Sequence, residues 1–104
     1  MFVQDLAQPF ERIMGCRAAE LLRWLPRALP GADLEIASDL AAGRCRASFA
    51  DGQLLIEWRL LAPRRIALLS MEQLWVRFSY SGFGEARRQK VQSHFDLATQ
   101  RGGG

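Results

Sequence analysis

Between Arg44 and Tyr80 two residue classes alternate along the chain. Cys45, Ala47 and Phe49 are interleaved with Arg44, Arg46 and Ser48. Leu54, Ile56, Trp58 and Leu60 are interleaved with Leu55, Glu57, Arg59 and Leu61, and Leu74, Val76, Phe78 and Tyr80 with Trp75, Arg77 and Ser79. A period of two belongs to an extended strand whose side chains point to opposite faces, so these segments predict one sheet with an apolar face. The other face is mixed, because arginines share it with Leu55, Leu61 and Trp75. It is too apolar for plain solvent surface and too charged for core. No catalytic or cofactor motif accompanies the pattern, so the sequence bounds function rather than naming it.

Turn chemistry divides the alternating region. Asp51-Gly52 lies between two runs and is the strongest hairpin signal, with Gly52 expected at positive φ. Leu34 and Ile36 suggest an earlier strand, with Ala42-Gly43 turning into the next. The strand near Gln53 to Leu61 ends at Ala62-Pro63-Arg64. Beyond it the apolar phase changes: Ala67, Leu69 and Met71 are odd-numbered, whereas Leu74, Val76, Phe78 and Tyr80 are even. A strand changes phase only through a bulge or a turn, which puts an interruption near Glu72-Gln73. One long bent strand from Ile66 to Tyr80 and two short ones both satisfy this.

Helical periodicity flanks the strands. Pro9 is placed like a first-turn proline, with Gln8 or Asp5 as cap. Phe10, Ile13, Met14, Ala18, Leu21, Leu22 and Leu25 then recur at helical spacing until Pro26. Arg17 falls within that stripe, with its stem along the core edge or, in the sharper reading, buried against a carboxylate. Ser81-Gly82-Phe83-Gly84 breaks the sheet, and Glu85 to Gln100 reads as a closing helix. Its face gathers Phe83, Val91, Leu97 and Ala98 with Arg87 and His94, and Phe95 at the margin. The expected architecture is a two-layer α+β sandwich: an antiparallel sheet of four or five strands, with an N-terminal and a C-terminal helix on one face. Residues 1–101 form one domain, and Gly102-Gly103-Gly104 reads as a disordered tail.

A chain of 104 residues with 49% hydrophobic content supports one real core. The net charge of +3 is uneven: residues 1–43 carry −2 and residues 44–104 carry +5. Lys90 is the one lysine among 14 cations, and a compositional bias of the source genome explains that as readily as a need for guanidinium chemistry. Cys16 and Cys45 are too few for a disulfide framework or zinc site, and Cys45 is expected to be an inert core thiol. The first residues lack the pattern of a signal peptide, and no apolar stretch is long enough to span a membrane. These features point to a cytoplasmic protein without cofactor or metal.

Three candidate chemistries remain. The first is the mixed face of Arg46, Leu55, Arg59, Leu61, Trp75 and Arg77. Trp and Arg are enriched at protein–protein hot spots, whereas a nucleic-acid platform needs stacking aromatics and has Trp75 alone here. The plain alternative is a solvated face with cross-strand Glu57–Arg pairs. The second is an anion site at Gly82 and Gly84, where a helix begins with Arg87 and Arg88 one turn in; it falls short of a dinucleotide fingerprint. The third is His94 acting with a sheet carboxylate such as Glu57 or Glu72. The favoured expectation is a non-enzymatic binding module, a homodimer built on the mixed face or a sheet edge. Nucleic-acid or anion binding by the basic C-terminal half comes second, and a small enzyme using His94 third.

Overall fold

The computed structural model describes residues 6–100. Asp5, one of the two capping candidates, and the terminal glycines lie outside the described residues. In chain order the elements are β1 (Phe10–Met14), α1 (Ala18–Ala28), β2 (Asp33–Ser38), β3 (Ala42–Phe49), β4 (Gly52–Leu60), β5 (Arg64–Ile66), β6 (Leu69–Met71), β7 (Leu74–Ser81) and α2 (Glu85–Thr99). Five strands form an antiparallel sheet in the order β1-β7-β4-β3-β2, and β5 and β6 form a separate two-stranded hairpin. The fold is α+β, with the apolar sheet face and both helices enclosing one core.

The alternation around which the chain is organised holds in the strands it predicted. Cys45, Ala47, Leu54, Ile56, Trp58, Leu74, Val76 and Phe78 are all buried. Leu60 keeps the core phase but is 46% exposed, because β4 there runs out toward the hairpin.

The N-terminal helix is shorter than helical spacing predicts. Residues 10–14 form β1, which pairs with the edge of β7 from Phe10–Phe78 to Met14–Leu74. Phe10 stacks on Phe78 with ring centroids 4.9 Å apart. Pairing an open sheet edge outweighs a helical propensity that Gly15 would interrupt anyway. Helix α1 begins after Arg17, whose backbone N–H donates to Glu20 Oε1 at 3.0 Å. Arg17 is thus the N-cap residue itself, and its largely exposed side chain lies 3.6 Å from Glu20 rather than along the core edge. Pro26 does not end the helix. Leu29 N–H still reaches the Leu25 carbonyl at 3.0 Å, and buried Ala28 and Leu29 hold the last turn in the core.

The turns also differ from expectation. The β2–β3 connection lies at Asp39–Ala41, not Ala42-Gly43, with Asp39 Oδ1 accepting the backbone N–H groups of Ala41 and Ala42 at 2.8 and 2.9 Å. Those two bonds hold the Asp39 carboxyl below its ordinary pKa. The β3–β4 turn is Ala50-Asp51, and Gly52 pairs with Phe49 inside the ladder. Positive φ among the described glycines occurs at Gly31 and Gly82, not Gly52.

The phase change at Glu72-Gln73 is real, and of the two readings the structure has the two-strand one, β6 and β7, preceded by a further short strand. Ile66 closes β5, Ala67 (φ 54°) and Leu68 form a tight turn, β6 follows, and β7 starts at Leu74. Helix α2 is rotated from its predicted face. Phe95 is fully buried and meets Phe78 edge-on at 5.2 Å, while Leu97 is 72% exposed. Val91, Gln92, Phe95 and Thr99 make the inward stripe; two of them are polar, which blurred it in the sequence.

Candidate interaction surface

The sheet face away from the helices is organised in rows that cross the strands. One row runs Glu11 (β1), Arg77 (β7), Glu57 (β4) and Arg44 (β3), so charge alternates from strand to strand. Beside it runs Ile13, Trp75, Arg59 and Ala42. On the other side run Ser79, Leu55, Arg46 and Glu35. Among the described residues these four make no ion pair with one another, so the row writes an alternating charge pattern onto the sheet surface without closing salt bridges within it.

Trp75 anchors this face. Its indole Nε1 donates to Glu11 Oε1 at 2.8 Å, and the Arg59 guanidinium lies 4.6 Å from its ring centroid. A ring held from two sides is pre-organised, so presenting it to a partner costs little rotamer entropy. Leu55, Leu61 and Arg77 are half-buried, and Arg46 and Arg59 exposed. Next to Trp75 a shallow depression of about 550 Å³ is lined by Ala37, Ala42, Arg44, Glu57 and Arg59. The face is thus bulky at Ile13 and Trp75 and hollow at Ala42. Glu11 and Ile13 escaped sequence reasoning. Their alternation with Phe10 and Met14 is the available signal, but Phe10, Ile13 and Met14 also fit a helix.

The glycine-flanked start of α2 holds its arginines within the fold. Arg87 Nε donates to Asp51 Oδ2 at 2.9 Å, and its guanidinium lies near the Phe49 and Phe83 rings. Arg88 Nη1 donates to the Phe83 carbonyl at 2.7 Å, while its Nε and the Trp58 indole N–H are buried without a hydrogen-bond partner among the described residues. Gly82 provides the positive-φ turn and Gly84 caps α2. Both guanidinium groups thus brace the junction of β7, α2 and the β3–β4 turn.

His94 is exposed, with Nε2 3.3 Å from the Arg27 carbonyl oxygen at the end of α1. The groove beside it, about 130 Å³, is lined by Ala28, Leu29, Pro30, Phe49, Arg87, Lys90 and Val91. Glu57 lies across the sheet, and Glu72 lines a different cleft with Arg12, Glu20 and Asp96. The structure therefore does not bring His94 together with either carboxylate.

A polar chain absent from the sequence reading ties α2 to the sheet. Tyr80 donates its hydroxyl to Gln92 Oε1 at 2.6 Å, and Gln92 Nε2 and Arg12 Nη1 both donate to Asp96 Oδ1, at 2.9 and 2.8 Å. The Arg12 guanidinium also sits 5.0 Å from the Phe78 ring centroid. Burial, reinforced by the Asp96 charge, raises the Tyr80 pKa, with Arg12 opposing. Cys16 and Cys45 are buried and form no disulfide with each other, and burial pushes the Cys45 thiol up to about 11. Among the described residues no three His, Cys, Asp or Glu side chains form a metal-binding group, and no helix is long and apolar enough to cross a membrane.

No protein-family model, curated protein or solved structure matches the chain.

Proposed function

We propose that this chain is a non-enzymatic binding module that acts as a homodimer, two copies packing mixed face to mixed face. The observation that supports this is the self-complementarity of the charge row. A two-fold axis lying between the sheets, parallel to the strands and midway between β4 and β7, reverses the row Glu11–Arg77–Glu57–Arg44. Each Arg77 then faces Glu57 of the other copy, and each Glu11 faces Arg44. The same operation sets Trp75 against Arg59 and the exposed Ile13 against the hollow at Ala42. An isologous contact requires such self-matching, and one axis provides it in both rows.

The area is modest. The four strands that overlap under this axis (β1, β7, β4 and β3), of 5 to 9 residues at about 3.4 Å per residue and about 4.8 Å apart, present roughly 500 Å², below the ~800 Å² per partner of a standard interface. Aligned sheets nonetheless pack face to face readily, at about 30°. The two buried thiols suit a reducing compartment such as the cytoplasm.

Solution mass tests the reading. At tens of micromolar the wild type should weigh as a dimer at low and moderate salt, since pairs enclosed between sheets are screened less than surface pairs. Trp75→Glu should give a folded monomer. A wild-type monomer that binds single-stranded oligonucleotide with steep salt dependence would replace this proposal with nucleic-acid binding through the basic half.

A further inference from the structure

The β5–β6 hairpin joins β4 to β7, belongs to no larger sheet, and is closed at its base by Leu61 N–H donating to the Gln73 carbonyl at 3.0 Å. Every residue from Ala62 to Glu72 is exposed. On the β6 side Ser70, Met71 and Glu72 line a cleft with Arg12, Trp24 and Asp96, so the base of the hairpin borders the helix layer. The tip lies beyond that cleft. Ile66 is 48% exposed, Leu69 68% and Leu68 fully so, and none of the three lines it.

The ladder sorts the hairpin into layers along its length. Leu68 is outermost, Ile66 pairs with Leu69 below it, then Arg65 with Ser70, and Arg64 with Met71 at the base. No charge occurs from Ile66 to Met71, and no acid lies between Glu57 and Glu72. Arg64 and Arg65 are exposed, and among the described residues neither makes an ion pair. An aliphatic tip over two free guanidinium groups reproduces the layering of a bilayer surface, where acyl chains lie beneath phosphates.

We propose that the hairpin is a membrane-surface anchor. Ile66, Leu68 and Leu69 enter the boundary between headgroups and acyl chains of an anionic bilayer, and Arg64 and Arg65 meet the lipid phosphates. The proposal goes beyond the dimer reading and does not depend on it. Its dimensions agree: a three-residue strand is about 10 Å long, and interfacial segments sink about 5–10 Å into the membrane. The outer edges of β5 and β6 carry unpaired backbone groups that hydrocarbon would not satisfy, so insertion stops at the tip. A protein partner fits less well, because three aliphatic side chains fall far short of the ~800 Å² per partner of a standard interface. A bilayer demands no such complementary area. Binding by one small insertion and two cations is reversible.

Vesicle binding by the full chain tests this. The protein should co-sediment with phosphatidylcholine vesicles containing about 30% phosphatidylserine, only weakly with pure phosphatidylcholine, and less as salt rises. Both native thiols are buried, so Leu68→Cys and Leu97→Cys each accept one polarity-sensitive fluorophore, at the tip and on an exposed position of α2. The tip probe should shift to the blue on anionic vesicles and be quenched by brominated acyl chains, while the α2 probe does neither. Arg64→Ala with Arg65→Ala should weaken binding to anionic vesicles at least about ten-fold, since each cation near such a surface contributes about five-fold. Leu68→Ser with Leu69→Ser should abolish the weak binding to neutral vesicles, and thermal melts of both double variants should match the wild type. Three results overturn the proposal. One is a wild type that ignores anionic vesicles. The second is a tip probe that stays in water on bound protein, which leaves only charge adhesion by the basic half. The third is a tip probe that shifts with protein concentration in the absence of lipid, which assigns the tip to another copy of the chain.

Discussion

Trp58 occupies the space that a side chain on Gly43 would need, and the two residues are paired opposite one another on β4 and β3. A Cβ on Gly43 would stand 2.5 Å from Cε2 of the indole and 2.8 Å from the Ser38 Cβ. The glycine thus serves close approach, not a turn.

Gly43→Ala should accordingly destabilise the fold by about 1–3 kcal/mol, the usual cost of overpacking. Urea denaturation measures it. In a Trp58→Leu background the same substitution should cost much less, because the ring it strikes is gone. An undiminished cost there would place the problem in the backbone instead.

Gly52 and Gly82 separate the same two causes. A Cβ on Gly52 would lie 2.7 Å from the Phe83 ring, whereas Gly82 has φ +85°. Gly52→Ala should be relieved by Phe83→Leu. Gly82→Ala should lose about 1 kcal/mol through backbone strain in either background. Relief of both by Phe83→Leu would contradict the assignment.

These glycines show where the sequence is legible. Asp51-Gly52 announces a hairpin correctly, but the need for glycine comes from a ring thirty-one positions downstream, which no local pattern carries. β3, β4 and β7 were readable because their inner face is uniformly apolar, whereas the β5–β6 hairpin, exposed throughout, carries no such face. β1 was not readable, because Arg12 occupies a core-facing position and its partner Asp96 lies eighty-four residues away. The rotation of α2 was hidden likewise: Gln92 and Thr99 point inward with their polar atoms satisfied, Gln92 Oε1 accepting from the Tyr80 hydroxyl and Thr99 Oγ1 donating to the Phe95 carbonyl. Of the open face, Arg46, Leu55, Arg59, Leu61, Trp75 and Arg77 were legible from phase alone. Which charge neighbours which depends on register, and Glu11 and Ile13 depend on the strand order.

The Arg12–Asp96–Gln92–Tyr80 chain makes Asp96 the shared acceptor. Asp96→Ala strands the donors of Arg12 and Gln92 and should cost about 1–3 kcal/mol, toward the lower end because the Arg12–Asp96 pair is partly hydrated. Arg12→Met keeps an apolar stem against Phe78 and should cost less. Chemical denaturation of the two variants gives the order, and a larger loss for Arg12→Met would show that packing on Phe78 dominates.

Alkali should unfold the protein cooperatively. Burial raises Cys45 from 9.0 to about 11 and raises Tyr80 as well, so the folded state holds these protons more tightly than the unfolded state. The stabilisation is complete below the unfolded pKa values and is lost as pH rises through the folded ones. The urea midpoint should therefore fall as pH rises from about 9 toward about 11, and Cys45→Ala should shrink that fall. An identical fall in the variant would assign the effect to other groups.

Charge reversal on the open face should behave in a way that only a two-fold match predicts. Glu57→Arg puts two cations face to face at each of the two symmetry-related Arg77 contacts, and Arg77→Glu puts two anions at each. Either variant alone should sediment as a folded monomer. Mixing them restores both contacts: Arg77 of the first copy meets the native Glu57 of the second, and the introduced Arg meets the introduced Glu. An equimolar mixture should therefore sediment as heterodimer, though each component is monomeric by itself. Like charges within one sheet weaken each variant's fold somewhat, so thermal melts of the separate proteins serve as the control. If both variants fold and their mixture stays monomeric, the axis between β4 and β7 is wrong, whatever else the face does.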